Sequence, residues 1–240
     1  FCSRWEKIRR MRLDALLSRY GYWCRREAPG WIKRHSITFK GEPCSAPTDK
    51  VQAEGILLDG EPVEFPDGLY AALYKPAGYT CSHDDGEGDV IYDLLPFQWR
   101  HRNPAVSSVG RLDKETSGLL LITDDGKFIH RMTSPRHHVA KVYEAVTEED
   151  IPAEAVELFA SGTFTLNGED RPCAPAVLEI LEPRRARLTL TEGKYHQVRR
   201  MLAAVGAPVA SLCRISIGSL HLDSLNLEPG EWMPIRPDAL

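Results

Sequence analysis

Hydrophobic and polar positions follow two regimes along the chain. Between residues 11 and 66 the apolar stretches are short. Leu13, Leu16 and Leu17 recur at helical spacing, and Gly21 ends that helix. Arg25-Arg26-Glu27-Ala28 opens a second, basic helix, which Pro29-Gly30 must interrupt or restart before Trp31–Arg34 continues it. Ile37-Thr38-Phe39 alternates as a strand and Lys40-Gly41 turns it. Ile56–Val63 reads as a strand, a tight Asp59-Gly60 turn and a return. Glu64–Leu69 brings Pro and Gly together and predicts a linker.

From Tyr70 onward the apolar runs lengthen. Tyr70–Tyr74 predicts a buried strand that ends in the turn Lys75-Pro76-Ala77-Gly78. Ser82–Asp89 is polar and glycine-rich, expected to be a mobile loop. Val90–Leu95 predicts a short helix, and Gln98–Pro104 a basic, aromatic loop. Leu119–Ile122 is a second buried strand, preceded by a polar loop. Lys127–Thr133 reads as a helix, Lys141–Val146 as a strand, and Ile151–Ala160 as an amphipathic helix. Val177–Leu181 and Ala186–Leu190 are strands around a Glu182–Arg185 turn. A turn at Gly193 enters a helix that ends at Gly206, and Leu212–Leu222 alternates as strands around Gly218. No apolar run approaches the length of a membrane span, so no membrane partner is expected.

Charge changes this picture by its distribution. The formal net charge over 240 residues is −4. Yet residues 1–40 hold eleven Lys/Arg against three Asp/Glu, a patch suited to phosphates. Residues Arg184–Arg214 hold seven Lys/Arg against one acid. The six cysteines are scattered, with neither C-x-x-C spacing nor zinc-ligand spacing to a histidine, and are expected to be reduced thiols. Adjacent His137 and His138 on an extended segment would point to opposite faces, so no metal site is expected there.

Candidate chemistry centres on Val109–Thr123. Asp113 stands two residues from Arg111, between Gly110 and Gly118, and just before a buried strand. A carboxylate beside an arginine at a sheet edge can stay ionised while shielded from water, as a nucleophilic carboxylate must. The plain alternative is a surface Arg–Asp pair, a common and weakly stabilising feature.

Gly110-Arg111-Leu112-Asp113, followed by Thr116, Gly118, Leu119 and Leu120 and then Thr123-Asp124-Asp125-Gly126, resembles the signature of the pseudouridine synthases. Further ordered blocks carry the same resemblance: Lys75-Pro76-Ala77-Gly78, Thr133–His138 with Lys141 and Tyr143, and Gly193–Met201. Arg12-Leu13-Asp14, Arg25–Ala28, Ile32, Ile37 and Gly41 resemble an S4-like RNA-binding domain. Pro29-Gly30 and His35-Ser36 depart from that pattern.

The resemblance implies an α+β protein. Residues 1–10 would be an extension and 11–66 a small S4-like RNA-binding domain. Residues 67–240 would form a pseudouridine synthase catalytic domain, with a mixed, mainly antiparallel sheet flanked by helices. It implies catalytic roles for Asp113, Tyr143 and Arg199. Asp113 would act as nucleophile or base, Arg199 would pair with it, and Tyr143 would support the detached uracil. RNA contacts are expected from Arg111, Arg12, Arg25, Arg26, Lys33, Arg34, Arg136, Lys194 and Arg200, with Arg111 filling the space the target base leaves. The reaction is an isomerisation without redox change, so neither cofactor nor metal is expected.

The small-subunit type of the family implies a cytoplasmic monomer acting on 16S ribosomal RNA, at uridine 516 in standard numbering, within a small-subunit assembly particle. Alternatives are a 23S enzyme of the same family, a non-catalytic RNA-binding assembly protein, and a glycosidase. The last needs a second essential acid such as Glu115 or Asp124.

Overall fold

The structure is a computed structural model that describes residues 10–238 apart from 85 and 87. The expected extension lies outside the described residues except for Arg10, as do two positions of the expected Ser82–Asp89 loop. The chain forms two compact units, one from residues up to Leu69 with Leu95–Ser107, the other from Tyr70–Leu94 with Ser108 onward.

In the first unit, β1 (Met11–Arg12) pairs with β4 (Lys50–Val51), and α1 (Leu13–Arg19) follows β1 directly. Helix α1 buries Leu13, Leu16 and Leu17, as their spacing requires. Helix α2 (Ala28–Ile32) begins three residues later than expected. Pro29 lies in its first turn, where a missing N–H breaks no helical bond, so Pro29 starts the helix rather than interrupting it. Strands β2 (Ile37–Phe39), β3 (Glu42–Pro43), β5 (Ile56–Leu58) and β6 (Glu61–Pro62) form an antiparallel sheet in the order β3-β2-β5-β6. Ile32, Ile37, Ile56 and Leu58 join the α1 leucines in one core.

Residues 98–104, expected as a loop of the second domain, instead contain most of α3 (Phe97–Arg100) and cluster with the first unit. The cause is a set of bonds. Buried Trp99 donates from Nε1 to Glu64 Oε2 at 3.1 Å, and Arg102 donates to the carbonyls of Glu64 and Phe65, each at 3.2 Å. Gly21 permits the approach. Its φ is +79°, and a Cβ there would lie 2.0 Å from the carbonyl oxygen of Gln98.

The second unit is built on one large sheet. Its strands are β7 (Tyr70–Lys75), β8 (Ser107–Ser108), β9 (Thr116–Thr123), β10 (Lys141–Thr147), β11 (Val177–Glu182), β12 (Arg185–Leu190), β13 (Val209–Ile217), β14 (Leu220–His221) and β15 (Trp232–Pro234). The main path runs β11-β12-β10-β13-β9-β7-β15, with β8 beside β9 and β14 beside β13. Along that path every pair is antiparallel except β13 and β9, which run parallel. On β9, residues 118–123 are all buried, the continuous apolar run expected of a central strand.

Among the described residues, three helices cover this sheet. Phe128 and Met132 of α4 (Gly126–Thr133) pack with Ala72, Leu119 and Leu121. Phe159 of α5 (Ala155–Ala160) and Met201 and Leu202 of α6 (Gln197–Ala204) pack with Ala145, Leu188 and Leu212. Helix α5 starts at Ala155 rather than Ile151, because Ile151 N donates to Pro183 O at 2.7 Å and holds the entry extended. This is the mixed, mainly antiparallel sheet with flanking helices that the resemblance implied.

Candidate active site

Asp113 lies in the loop that enters β9, at the one parallel junction of the main sheet path. Gly118 makes the junction possible. Its φ is +109°, and a Cβ would fall 2.3 Å from the carbonyl oxygen of Arg214 on β13. The register sets Thr116 opposite Leu212 and Gly118 opposite Arg214.

The loop is fastened from beneath. Lys75 is fully buried, and its ammonium donates to the carbonyls of Pro76 (3.0 Å), Asp113 (3.2 Å), Lys114 (3.1 Å) and Thr116 (2.7 Å). Burial lowers the Lys75 pKa from the usual lysine value, although nearby acidic groups, Asp113 among them, oppose the shift. Thr116 N donates back to Asp113 O at 3.0 Å and closes the turn. The Asp113 backbone is thus held by Lys75 and by its own turn.

Tyr143 on β10 lies beside Leu188 of β12 and Arg214 of β13. The β10–β13 register shifts between Val142 and Tyr143, an irregularity that re-aims side chains. A small cavity of about 100 Å³ is lined by Arg111, Asp113, Thr116, Tyr143, His196 and Leu212, among others. Asp113 and Tyr143 therefore share one cavity wall. A wider cleft of about 550 Å³ also includes Arg111, Asp113 and His196, and adds Lys114 and Tyr195. Arg214 is 2% exposed, donates from Nε to Leu119 O at 2.8 Å, and places its guanidinium carbon 6.0 Å from the Tyr143 ring centre. Two buried polar atoms here have no hydrogen-bond partner among the described residues, Thr116 Oγ1 and Arg214 Nη2.

The side chain that meets the Asp113 carboxylate is His196, with Nε2 3.3 Å from Oδ1. Arg199, expected in that position, instead donates to the carbonyls of Glu115 (3.1 Å) and Val209 (3.3 Å). Among the described residues no Arg199–Asp113 ion pair forms, and Arg199 fastens the end of the Asp113 loop. In the sequence His196 stands only as one residue of the Gly193–Met201 block. Its proximity to Asp113 depends on a left-handed backbone (φ +47°) just before α6, which no periodicity reveals.

The expected RNA-contact residues divide into two groups. Arg111 and Arg136 are exposed, as are Arg26, Lys33 and Arg34 of the first unit. Arg12 is engaged by Asp14, with Nη2 to Oδ2 at 2.8 Å, and exposed Arg25 lies 3.6 Å from the same oxygen. These contacts hold the Asp14 carboxyl below its usual range, the Arg12 hydrogen bond most of all. Lys194 and Arg200 both reach Glu169, at 3.5 and 2.9 Å, so their side chains tie one loop to another.

Residues 69–204 match the sequence profile of the RNA pseudouridylate synthase family. The chain is 39% identical over 232 residues to ribosomal small subunit pseudouridine synthase A of Pasteurella multocida, covering 96% of this chain and 98% of that one. It is also 39% identical over 234 residues to the protein of the same name from Escherichia coli K12, again covering 96% and 98%. A crystal structure of a pseudouridylate synthase superposes with a TM-score of 0.65 at 36% identity, covering 95% of this chain and 97% of that one. The chain belongs to the RNA pseudouridylate synthase family and is an RNA pseudouridine synthase, an isomerase.

Proposed function

We propose that this enzyme converts one uridine of 16S ribosomal RNA to pseudouridine, at position 516 in standard numbering. The observation that carries the catalytic assignment is the shared cavity of Asp113 and Tyr143 at the β9–β13 junction. The choice of RNA is supported by small-subunit relatives that align over nearly the whole chain.

In this reading Asp113 acts on the nucleoside as nucleophile or base, and the C1′–N1 bond breaks. The uracil turns against the Tyr143 ring, C5 joins C1′, and the proton on C5 is released as N1 regains one. Atoms and charge balance, because the product is an isomer. Thr116 Oγ1, unpaired in the cavity wall, offers a hydrogen bond to the uracil edge. Arg199 serves by securing the loop through Glu115. The target leaves its stack to enter the site, at a cost of a few kcal/mol, and exposed Arg111 beside the cavity fills the gap.

The first unit, with helices α1 and α2 and a small sheet, acts as an S4-like RNA-binding head. Lys33 and Arg34 supply exposed charge there, and Arg25 and Arg26 supply charge shared with Asp14 and Glu27. The catalytic domain, expected at residues 67–240, then corresponds to the second unit, from Tyr70 onward without Leu95–Ser107. The enzyme works as a cytoplasmic monomer on a small-subunit assembly particle.

Pseudouridine mapping of 16S and 23S RNA, free and in subunit particles, tests this reading. Wild type should add one site in 16S RNA, and Asp113→Asn should add none. A site in 23S RNA would redirect the substrate assignment, and activity retained by Asp113→Asn would remove the catalytic one.

A further inference from the structure

The loop between β12 and α6 is strapped far more tightly than a connection requires. Arg200 donates to Tyr195 O (3.0 Å), to Glu169 Oε1 (2.9 Å) and to Asn167 O (2.6 Å). Lys194 Nζ donates to Arg171 O at 2.7 Å. Gln197 accepts from Lys194 N at 2.8 Å and donates to Glu192 at 2.7 Å. These bonds hold His196 in its left-handed conformation, a strained state for a non-glycine residue and one often found at functional sites.

The loop presents two rings. The Tyr195 and His196 rings stack at 3.9 Å with an interplanar angle of 16°. The edge of the His196 ring reaches Asp113, while Tyr195 remains 74% exposed. A rigid loop that leaves a large aromatic ring in solvent presents a face. That face borders a cleft lined by the cations Arg111 and Lys114 and by the candidate catalytic carboxylate. The enzyme's substrate is RNA, whose unstacked bases are taken up on aromatic faces with phosphates drawn by nearby cations.

We propose that the outer face of Tyr195 is a stacking subsite for a nucleobase neighbouring the target uridine, and that His196, stacked beneath it, couples occupancy of that subsite to the position of Asp113. The target uridine belongs in the cavity with Tyr143, and the subsite takes the adjacent unpaired base. Stacking on Tyr195 holds the imidazole plane, and the plane holds the Asp113 oxygen. His196 is a positioning residue in this scheme. The stacking half rests on the RNA-modifying activity of the family, and the coupling half on the role of Asp113. Neither depends on which ribosomal RNA is modified.

The test pairs binding with turnover. Binding is measured to a single-stranded RNA oligonucleotide and to a 16S transcript. Turnover is measured as tritium released from uridine C5 at saturating enzyme on 16S and 23S RNA, free and in subunit particles. Tyr195→Ala should weaken binding to the oligonucleotide by about tenfold or more, and Tyr195→Phe, which keeps the ring, should restore it. His196→Ala should leave binding within about twofold while slowing turnover about tenfold or more, and His196→Gln should recover part of the rate by keeping a donor. With His196→Ala in place, Tyr195→Ala should still weaken binding but no longer change the saturating rate. If Tyr195→Ala binds the oligonucleotide as the wild type does, or if Tyr195→Phe is as weak as Tyr195→Ala, the subsite is overturned, whichever RNA proves to be the substrate. A rate effect of Tyr195→Ala that persists in the His196→Ala background overturns the coupling.

Discussion

The buried ammonium of Lys75 lies 3.2 Å from the backbone carbonyl of Asp113 and holds the next residues of the same loop as well. A lysine rarely lies fully buried, because desolvating its charge is costly. Here Pro76 and the segment 113–116 supply carbonyl oxygens around it. Lys75→Met would take one donor from each oxygen, although Asp113 O keeps Thr116 N and Lys114 O keeps Gly78 N. The oxygens of Pro76 and Thr116 lose their Lys75 bond at roughly 1–3 kcal/mol each, so the expected loss of stability is about 2–6 kcal/mol, read from urea denaturation. Turnover should fall even at low temperature where the variant stays folded.

Gly118 is the second structural dependency of the site. An alanine there would combine a disfavoured positive φ with a Cβ driven into the Arg214 backbone. Strain of about 1–2 kcal/mol and overpacking of about 1–3 kcal/mol add to a loss of roughly 2–5 kcal/mol. Thermal and urea unfolding check this, and Gly126→Ala, at a helix start with open space around the Cβ, should stay within about 1 kcal/mol of wild type.

The strap around Glu169 carries a pH signature. Arg200 beside Glu169 holds its carboxyl below the usual carboxylate range, with Lys194 adding to the effect. A carboxylate with a lowered folded pKa contributes its full stability above the unfolded value near 4.5 and loses it as pH falls through the lowered value. The protection of the Tyr195 and His196 amides against hydrogen exchange, taken relative to the intrinsic rate at each pH, should therefore fall at acid pH in the wild type. In Glu169→Gln protection should already be low at neutral pH and lose that dependence.

Charge on the first unit separates into binding and folding roles. Arg26→Ala, Lys33→Ala and Arg34→Ala each remove an exposed cation. Each should weaken RNA binding without shifting the melting temperature. Each should also reduce the slope of log affinity against log salt by about 0.7–0.9. Arg12→Ala should lower stability through the loss of its Asp14 contacts. A titration series at several salt concentrations, with melting curves alongside, distinguishes the two classes.

Much of the architecture was legible because the apolar spacing is local information. The leucines of α1, the run Leu119–Ile122 and the strands on either side of Glu182–Arg185 follow from periodicity alone. The start of α2 was misplaced because proline suits a helix's first turn as well as it breaks an interior. The return of Trp99 and Arg102 to the first unit was not legible, since their partners lie at residues 64 and 65. Within the site, Asp113 stood out through residue type and place in the chain and Tyr143 only through the family resemblance, and they share a cavity. His196 did not, because its position depends on a strapped left-handed backbone and a contact across more than eighty residues. Lys194 and Arg200 read as free positive charge in one dimension and are engaged by Glu169 in three.

The parallel pairing of β9 with β13 makes β13 the keystone of the site. Asp113 hangs from β9 and Tyr143 stands on β10, yet those two strands do not pair with each other, and each leans on β13. That strand is made about seventy residues after Tyr143. Until it is in place, the two halves of the chemistry belong to separate pieces of sheet with nothing to set their spacing. Joining distant stretches of chain comes late in folding, because loop closure must precede the contacts that reward it. A chain interrupted before Val209 would carry every residue of the motif around Asp113 and still assemble no active site. Completeness of the sheet is thus the condition for the cavity that Asp113 and Tyr143 share.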